Sequence, residues 1–546
     1  MPPAAHTPRT KLTKANHHGK RKARLRIRAL VSVLAASAVC TGAFLWIRFW
    51  PFEQQSVIQD LQAASDSQVQ IRAFHSRYFP YPGCTLDGVV FVHGTDATTP
   101  LITIEKLSIR GTYLGILAHH VSRIAAEGMR VMIPPFGSGQ PFHTKRSTTT
   151  IGEIVANGAT VEFASSEPGE QPLRFEIREA MLREVGWSGP LTYRLKVHNP
   201  KPPGEISTAG KFGVWDQNDP AQTPLSGEYN FEQADLSIYA GIGGMLSSVG
   251  KFGGNLGHID ISGTTNTPDF EVKSGGHSVQ LTTEFSAYVD GIHGDTFLKR
   301  VDAHFRKTHV VAAGSIAKSA TGKGKTALID LSVQNGRIED VVGLFVKADR
   351  PPMSGAVTIR ANVEVPSGEL PFLKRVSLRG SFGIGGGEFS QSSTQQGVNK
   401  LSAGARGEKD PSDPETVLTD LSANVALNNG LARLADLSFG VPGASARLSG
   451  TYDLIHYKID LHGQMKLDSK ISNTTSGTKA VLLKMMDPLF KKRKKGEILP
   501  VRISGTFEKP SFGLDIEDKK AQRVLPPSHT PTPSVPPPPQ GTKRDQ

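Results

Sequence analysis

Gly322-Lys323-Gly324-Lys325-Thr326 comes close to a glycine-rich phosphate loop, with a lysine and a hydroxyl where phosphate and magnesium would be met. Ser319 stands where the first glycine of such a loop belongs, and no strand–helix alternation surrounds it, so nucleotide binding is not expected. Gly383-Ile384-Gly385-Gly386-Gly387 likewise lacks the strand–helix setting of a dinucleotide fingerprint and reads as a flexible turn or a bulge. His119-His120 is the adjacent histidine pair beyond the N-terminal region. Neighbouring side chains do not converge on one metal, and no Cys or carboxylate stands near at ligand spacing. A Ser–His–Asp set can converge from anywhere, but no G-x-S-x-G elbow or H-E-x-x-H helix nominates a nucleophile or a base. The expectation is a protein that is not an enzyme, with no catalytic residue, no cofactor and no metal.

What must position any site is a chain that begins with an export signal. Nine Lys/Arg and no acid lie between Met1 and Arg28, and a 19-residue apolar stretch, Ala29 to Ile47, comes next. At 1.5 Å per residue that stretch is long enough to cross a bilayer as a helix. The one-sided charge leaves residues 1–28 in the cytoplasm and exports the chain beyond Pro51, with Trp46, Phe49 and Trp50 as an aromatic anchor. A cleaved signal peptide is the competing reading; the apolar run exceeds the usual signal core, so a retained anchor over 29–50 is preferred. Cys40 falls within the apolar run and Cys84 is left alone outside it, so no intrachain disulfide is expected.

Lys+Arg exceed Asp+Glu by 13. The head supplies nine of these and Lys491, Lys492, Arg493, Lys494 and Lys495 supply five, so the rest sums to minus one. Two local patches of this kind do not make a nucleic-acid surface.

After a short amphipathic helix around Val57, Ile58 and Leu61, the hydrophobic period becomes two. Val357, Ile359, Ala361, Val363 and Val365 alternate with Thr358, Arg360, Asn362 and Glu364. Leu421, Ala423, Val425 and Leu427 do the same, as do Val301, Ala303, Phe305 and Tyr457, Ile459, Leu461. Asn428-Asn429-Gly430 and Asp453 punctuate these stretches as turns. One-sided strands with Gly and Asn turns predict a mainly β fold: an N-terminal transmembrane helix, then an extended, curved antiparallel sheet with a few short helices, or several sandwiches.

Short matches recur in order. Leu225-Ser226-Gly227-Glu228-Tyr229-Asn230 precedes Ile261-Ser262-Gly263-Thr264, as Leu448-Ser449-Gly450-Thr451-Tyr452-Asp453 precedes Ile503-Ser504-Gly505-Thr506. Two related β modules are the reading, against chance similarity among Gly-containing strand ends.

At these residues the sequence resembles the AsmA family, in particular the AsmA-like C-terminal region of large bacterial envelope proteins. The resemblance runs from about Leu418 to Asp515 and includes Leu427 to Leu437, Leu448 to Leu454, a helix-like Thr478 to Phe490 with Met486-Asp487-Pro488-Leu489-Phe490, and Leu499 to Thr506 with Pro510-Ser511-Phe512. It divides the chain into a basic head (1–28), an anchor (29–50), a β-rich region (51–410), an AsmA-like C-terminal region (411–520) and a Pro-rich tail (521–546) that cannot bury an apolar face. Family membership implies a single-pass inner-membrane protein whose bulk is periplasmic and folds as a folded-over sheet with an apolar groove. Its implied partners are membrane phospholipid and other envelope proteins, with no nucleic acid. At 546 residues the chain is shorter than members thought to span the periplasm alone, which leaves local lipid handling or outer-envelope assembly.

The groove-lining candidates are Val357, Ile359, Ala361, Val363, Val365, Leu421, Ala423, Val425 and Leu427; a closed core built from the same residues is the alternative. Thr478 to Phe490 is expected to cap the sheet, and Lys491 to Lys495 to offer a membrane-proximal basic patch. A non-catalytic scaffold is the second functional expectation, and an envelope hydrolase the third.

Overall fold

The computed structural model describes residues 50–92, 101–133, 149–163, 172–186, 189–216, 219–239, 241–273, 276–319, 324–346, 350–368, 370–390, 395–396, 398–399, 402–403, 417–467, 498–506 and 510–515. The proposed anchor apart from Trp50, the Thr478–Phe490 segment, the Lys491–Lys495 run and the Pro-rich tail lie outside the described residues. Among the described residues no helix is long and apolar enough to cross a membrane. The chain forms two compact units, divided within residues 132–157 and again near 184–188.

The first unit opens with the helix Gln54–Ser65, the element read around Val57, and Val57 is its buried residue. Its strands are β1 (Gln68–Arg77), β2 (Gly83–Val92), β3 (Ile102–Gly111), β4 (His120–Glu127), β5 (Arg130–Ile133) and the start of β6 (Thr150–Phe163). β1 to β4 pair in sequence order as an antiparallel meander, and β5 joins the far end of β3. Leu86 and Val89 on β2 are fully buried, which places the unit's core under its central strand.

The second unit is a longer meander. It runs through β7 (Leu173–Val185), β8 (Leu191–Pro200), β9 (Pro203–Phe212), β10 (Pro224–Asp235), the two-residue β11 (Ile242–Gly243) and β12 (Met245–Asn255). Next come β13 (His258–Val272), β14 (Val279–Val289), β15 (Thr296–Phe305), β16 (Thr308–Lys318), β17 (Lys325–Arg337), β18 (Met353–Val365) and β19 (Ser377–Phe389). It closes with β20 (Thr419–Asn428), β21 (Leu431–Val441), β22 (Ala444–Asp453), β23 (Lys458–Leu467), β24 (Ile498–Thr506) and β25 (Pro510–Leu514). Each strand from β7 to β25 pairs antiparallel with the next, except that β11 lies aside on β13 while β10 pairs directly with β12. The mainly β, antiparallel expectation is what the chain adopts.

Turn chemistry explains the short connections. Asn429 and Gly430 both take positive φ, the backbone a two-residue hairpin between β20 and β21 needs. Asp290 and Asp453 close two other hairpins in the same manner: each carboxylate accepts backbone N–H bonds two and three residues on and binds the imidazole of His293 or His456. The His456 hydrogen bond holds the Asp453 carboxyl down at about 2. Tyr457 is a correction to the strand reading, because it sits in this turn with φ 55° and is exposed, and β23 starts at Lys458.

On β18 the exposed and sheltered residues alternate without a break from Val357 to Val365. Val357 is 1% exposed and its neighbour Thr358 is exposed. Val357→Asp should therefore lower stability by about 3 kcal/mol or more, an unpaired charge being forced into the core. Thr358→Lys, one residue away on the wet face, should stay within about 0.5 kcal/mol of wild type. Urea unfolding followed by circular dichroism compares the two; equal midpoints would contradict the face assignment.

Candidate functional site

β19 lies between β18 and β20 and ties their apolar residues into one lattice. Ile384 sits opposite both Val357 and Leu421, and Phe382 opposite both Ile359 and Ala423. Gly380 sits opposite both Ala361 and Val425, and Leu378 opposite both Val363 and Leu427. Directly opposed residues share a face, so these candidates from two separate stretches of sequence occupy one surface. Val365 extends it at the end of β18, opposite Ala327.

The same register continues far beyond the residues read from the sequence. From Ala361 a transverse row passes through Leu331, Ala312, Val301, Phe285, Gly263, Gly250, Tyr229, Thr208 and Leu195 to Ala180 on β7. In the other direction it passes from Gly380 and Val425 through Leu434, Gly450, Leu461 and Ile503 to Phe512 on β25. A second row, through Val363, runs parallel to it from Leu182 to Pro510. Neither row holds a charged residue. Between β17 and β20 the second row consists of Ile329, Val363, Leu378 and Leu427, all half-buried.

Glycines in the rows are roofed by tyrosines. The Tyr229 hydroxyl end lies over Gly250 and Gly263, and that of Tyr193 over Gly210 and Gly227, so a Cβ at any of the four would collide within 3 Å of these rings or of the backbone. Tyr229 shares a hydrogen bond of 3.0 Å with Ser248, and Tyr193 donates to the Ser226 carbonyl at 3.3 Å. The repeated Leu-Ser-Gly-x-Tyr and Ile-Ser-Gly-Thr stretches all lie on strands of this sheet, with Gly227, Gly263, Gly450 and Gly505 in the two rows.

One margin of the face is closed. The helical turn Ile338–Gly343 packs Ile338 and Val341 against Val333, Val357 and Ile384, and the following Leu344 joins Val279 and Phe305. Asp340 pins the turn to the β15–β16 hairpin, accepting bonds from Lys307 N at 3.0 Å and Thr308 Oγ1 at 2.9 Å. Burial works against the neighbouring Glu339 carboxylate, yet backbone N–H groups and the Arg337 guanidinium hold it below the usual range.

The opposite face is wet. Lys196 pairs with Glu179 at 3.1 Å, Lys299 with Asp260 at 2.6 Å and Arg502 with Asp460 at 3.0 Å. A depression of about 420 Å³ opens there between β12 and β15, where Glu284 and Asp302 lie opposite each other beside His304. Asp302 is already occupied: Arg300 grips it through two nitrogens and His309 Nε2 lies 3.0 Å away, which holds its carboxyl below the usual range. A carboxylate kept ionised in this way is a poor proton acceptor.

The described residues of the motifs that looked chemical lie in strands and turns of the two units. Gly324 closes the β16–β17 hairpin, its carbonyl accepting from Ser319 N, so the lysine-rich stretch joins two antiparallel strands. The Gly383–Gly387 run is a bulge within β19. His119 occupies a turn with positive φ, while His120 starts β4 and shares a bond with Thr150 Oγ1 at 2.9 Å. Among the described residues no group of three or more His, Cys, Asp or Glu is placed to hold a metal.

No family model matches the chain, and neither a curated protein nor a solved structure does. The apolar face is therefore described from its own residues. In its β7–β16 half only Val301, Ala303 and Phe305 on β15 were read from the sequence; β12 to β14 escaped it because Ser247-Ser248, Thr264-Thr265 and Thr282-Thr283 put hydroxyls on both faces and flatten the alternation. On the apolar side these hydroxyls bond one another, as Thr265 and Thr283 do at 2.7 Å, and Ser248 donates to the Thr264 carbonyl.

Cys84 is a buried thiol on β2 of the first unit, and burial pushes it up to about 12. Its thiolate at pH 8 is roughly a thousandfold scarcer than that of a free cysteine. In a Cys40→Ser background a maleimide should spare Cys84 in the folded protein and modify it in urea. The raised value also means that the stability it reflects is present below the free-thiol value of 9.0 and is lost as the pH climbs towards 12. Native labelling at the unfolded rate would refute the buried assignment.

Proposed function

We propose that the apolar face of the second unit receives the acyl chains of phospholipid, in a membrane-anchored envelope protein that works by shape and apolar contact and not by catalysis. Membership of the AsmA family, the inner-membrane anchor at 29–50 and the periplasmic location of the bulk belong to the same proposal. The observation that carries it is the pair of uncharged transverse rows running from β7 to β25, whose members between β17 and β20 stay half-buried where they are aliphatic and large.

A sealed sandwich core would press such residues to full burial, since protein interiors pack as densely as organic crystals. Half-burial of Ile329, Val363, Leu378 and Leu427 leaves apolar area available to a guest. Each methylene removed from water there is worth about 0.8 kcal/mol. An acyl chain of one leaflet is about 15 Å long, half the hydrocarbon core. With strands about 4.8 Å apart it crosses about three of them, so the row offers several chains a place. Recognition by an uncharged surface of this kind selects for acyl chains over headgroups.

A photo-crosslinking residue at Ile359 or Val425 should capture phospholipid in intact cells, whereas one at Arg360 or Asn424 on the wet face should not. Each pair consists of strand neighbours, so differences in expression or location cancel. Lipid-free adducts at all four positions in folded, membrane-held protein would remove the lipid reading and leave a scaffold.

A further inference from the structure

The first unit carries an apolar surface of its own. The β1–β2 connection Tyr78-Phe79-Pro80-Tyr81-Pro82 projects three aromatic rings, of which Phe79 is 82% exposed. Beside it the helical turn Tyr113–Leu117 presents Leu114, also 82% exposed, and Tyr113 donates to the Tyr78 carbonyl at 2.6 Å. Behind this tip Trp50 is buried against Tyr78, with ring centres 4.9 Å apart, and meets Phe52 edge-on at 5.8 Å. Phe52 is in turn fixed, its carbonyl accepting from Ser76 Oγ and its ring filling the space above Gly111. The exposed rings thus stand on a rigid base.

Three bases rim the tip. Arg77 and Arg110 both lie opposite Gly83, and Arg110 lies opposite Arg123, which puts three exposed arginines in one row across the end of β1 to β4. Aromatic rings with an arginine rim form the composition that suits the bilayer–water boundary, rings among the upper acyl chains and guanidinium groups at the phosphates.

The chain itself says which surface this is. Only Arg48 and Phe49 separate Trp50 from the end of the Ala29–Ile47 apolar run. Three residue steps reach at most about 11 Å, so an anchor at 29–47 brings Trp50 to the headgroup layer of its own bilayer. We infer that the Tyr78–Tyr81 loop, with Tyr113 and Leu114, is an interfacial footing that seats the first unit on the phospholipid bilayer its anchor spans. The inference rests on the anchor reading and is independent of lipid binding by the second unit.

The test uses the full chain, Cys40→Ser, in vesicles of zwitterionic and anionic phospholipid. An environment-sensitive fluorophore is attached at Phe79→Cys, Leu114→Cys or, as the control on the wet face of the second unit, Thr358→Cys. Cys84 stays unlabelled because it is buried. The expected result is a blue shift and loss of emission at 79 and 114 when nitroxide is carried on the lipid headgroup or upper acyl chain, with neither at 358. Water-like emission at both tip positions overturns the footing. A blue shift without quenching by lipid nitroxide also overturns it, since the rings then face protein. Release of the protein from vesicles by alkaline wash would show that the anchor reading fails, and the footing with it, while leaving the crosslinking result at Ile359 to stand or fall alone.

Discussion

Hydrogen-bonded register is the constraint on which the second unit depends. In an antiparallel pair the residue opposite an apolar one must share its face, and a slip of one residue would turn every side chain over. The meander keeps that parity from β7 to β25, and where an extra residue enters, the count is repaired on the spot. On β21 one extra residue enters between Leu434 and Leu437, against regular steps from Ser422 to Asn424 on β20 and from Leu448 to Gly450 on β22, and this single bulge leaves the apolar residues on either side on one surface. Asp436 takes the positive φ that its bulge requires.

Bulges also gather along one margin. The bulges at Phe231/Ala234 on β10, Thr267/Phe270 on β13, Val333/Gly336 on β17 and Ile384/Gly387 on β19 all lie just past the row that contains Ile359 and Phe382. That is the margin which the Ile338–Gly343 turn covers, where Val333 and Val357 are almost fully buried. Bulged strands bend and twist more strongly there, which lets a short helical turn come close enough to seal the edge. On β17 and β18 the two uncharged rows lie on the regular side, where pairing runs unbroken from Leu331 to Ala327 and from Ala361 to Val365, whereas on β15 a bulge between Leu298 and Val301 separates them. Beside β17 to β19 one side of the apolar face is closed at its backbone irregularity, and the other keeps a regular sheet surface.

Sequence alone revealed the strands whose two faces differ in polarity, and only those. β18 and β20 were legible residue by residue because Val, Ile, Leu and Ala alternate there with Thr, Arg, Asn and Ser. Tyr457 was misplaced because its apolar ring continued the alternation into a turn that Asp453 and His456 had already claimed. The second Asp-x-Ile-His turn, at Asp290 to His293, was a readable repeat that alternation could not bring out. The aromatic tip of the first unit was hidden for a different reason: Tyr78-Phe79-Pro80-Tyr81-Pro82 has no period, and only tertiary structure sets it beside Tyr113 and Leu114. Register itself, which joined β18 to β20 through β19 and extended the rows to both ends, has no local signature in the chain.

The choice of residues in the central row bears on what the face is for. Across β16 to β20 it reads Ala312, Leu331, Ala361, Gly380 and Val425, a succession of mostly small side chains. A core that closes on itself fills such space with large aliphatic or aromatic residues from the facing layer, because unfilled volume forfeits dispersion contacts. The bulky groups here are spent instead as roofs over glycine: Tyr229 over Gly250 and Gly263, Tyr193 over Gly210 and Gly227. Their hydroxyl ends lie close over the glycine backbone of the neighbouring strands. Apolar surface of that extent is not left to water without consequence, since it draws in whatever apolar partner can reach it. A flexible hydrocarbon chain conforms to such a surface without needing specific pockets, which is the physical argument behind the acyl-chain guest proposed above.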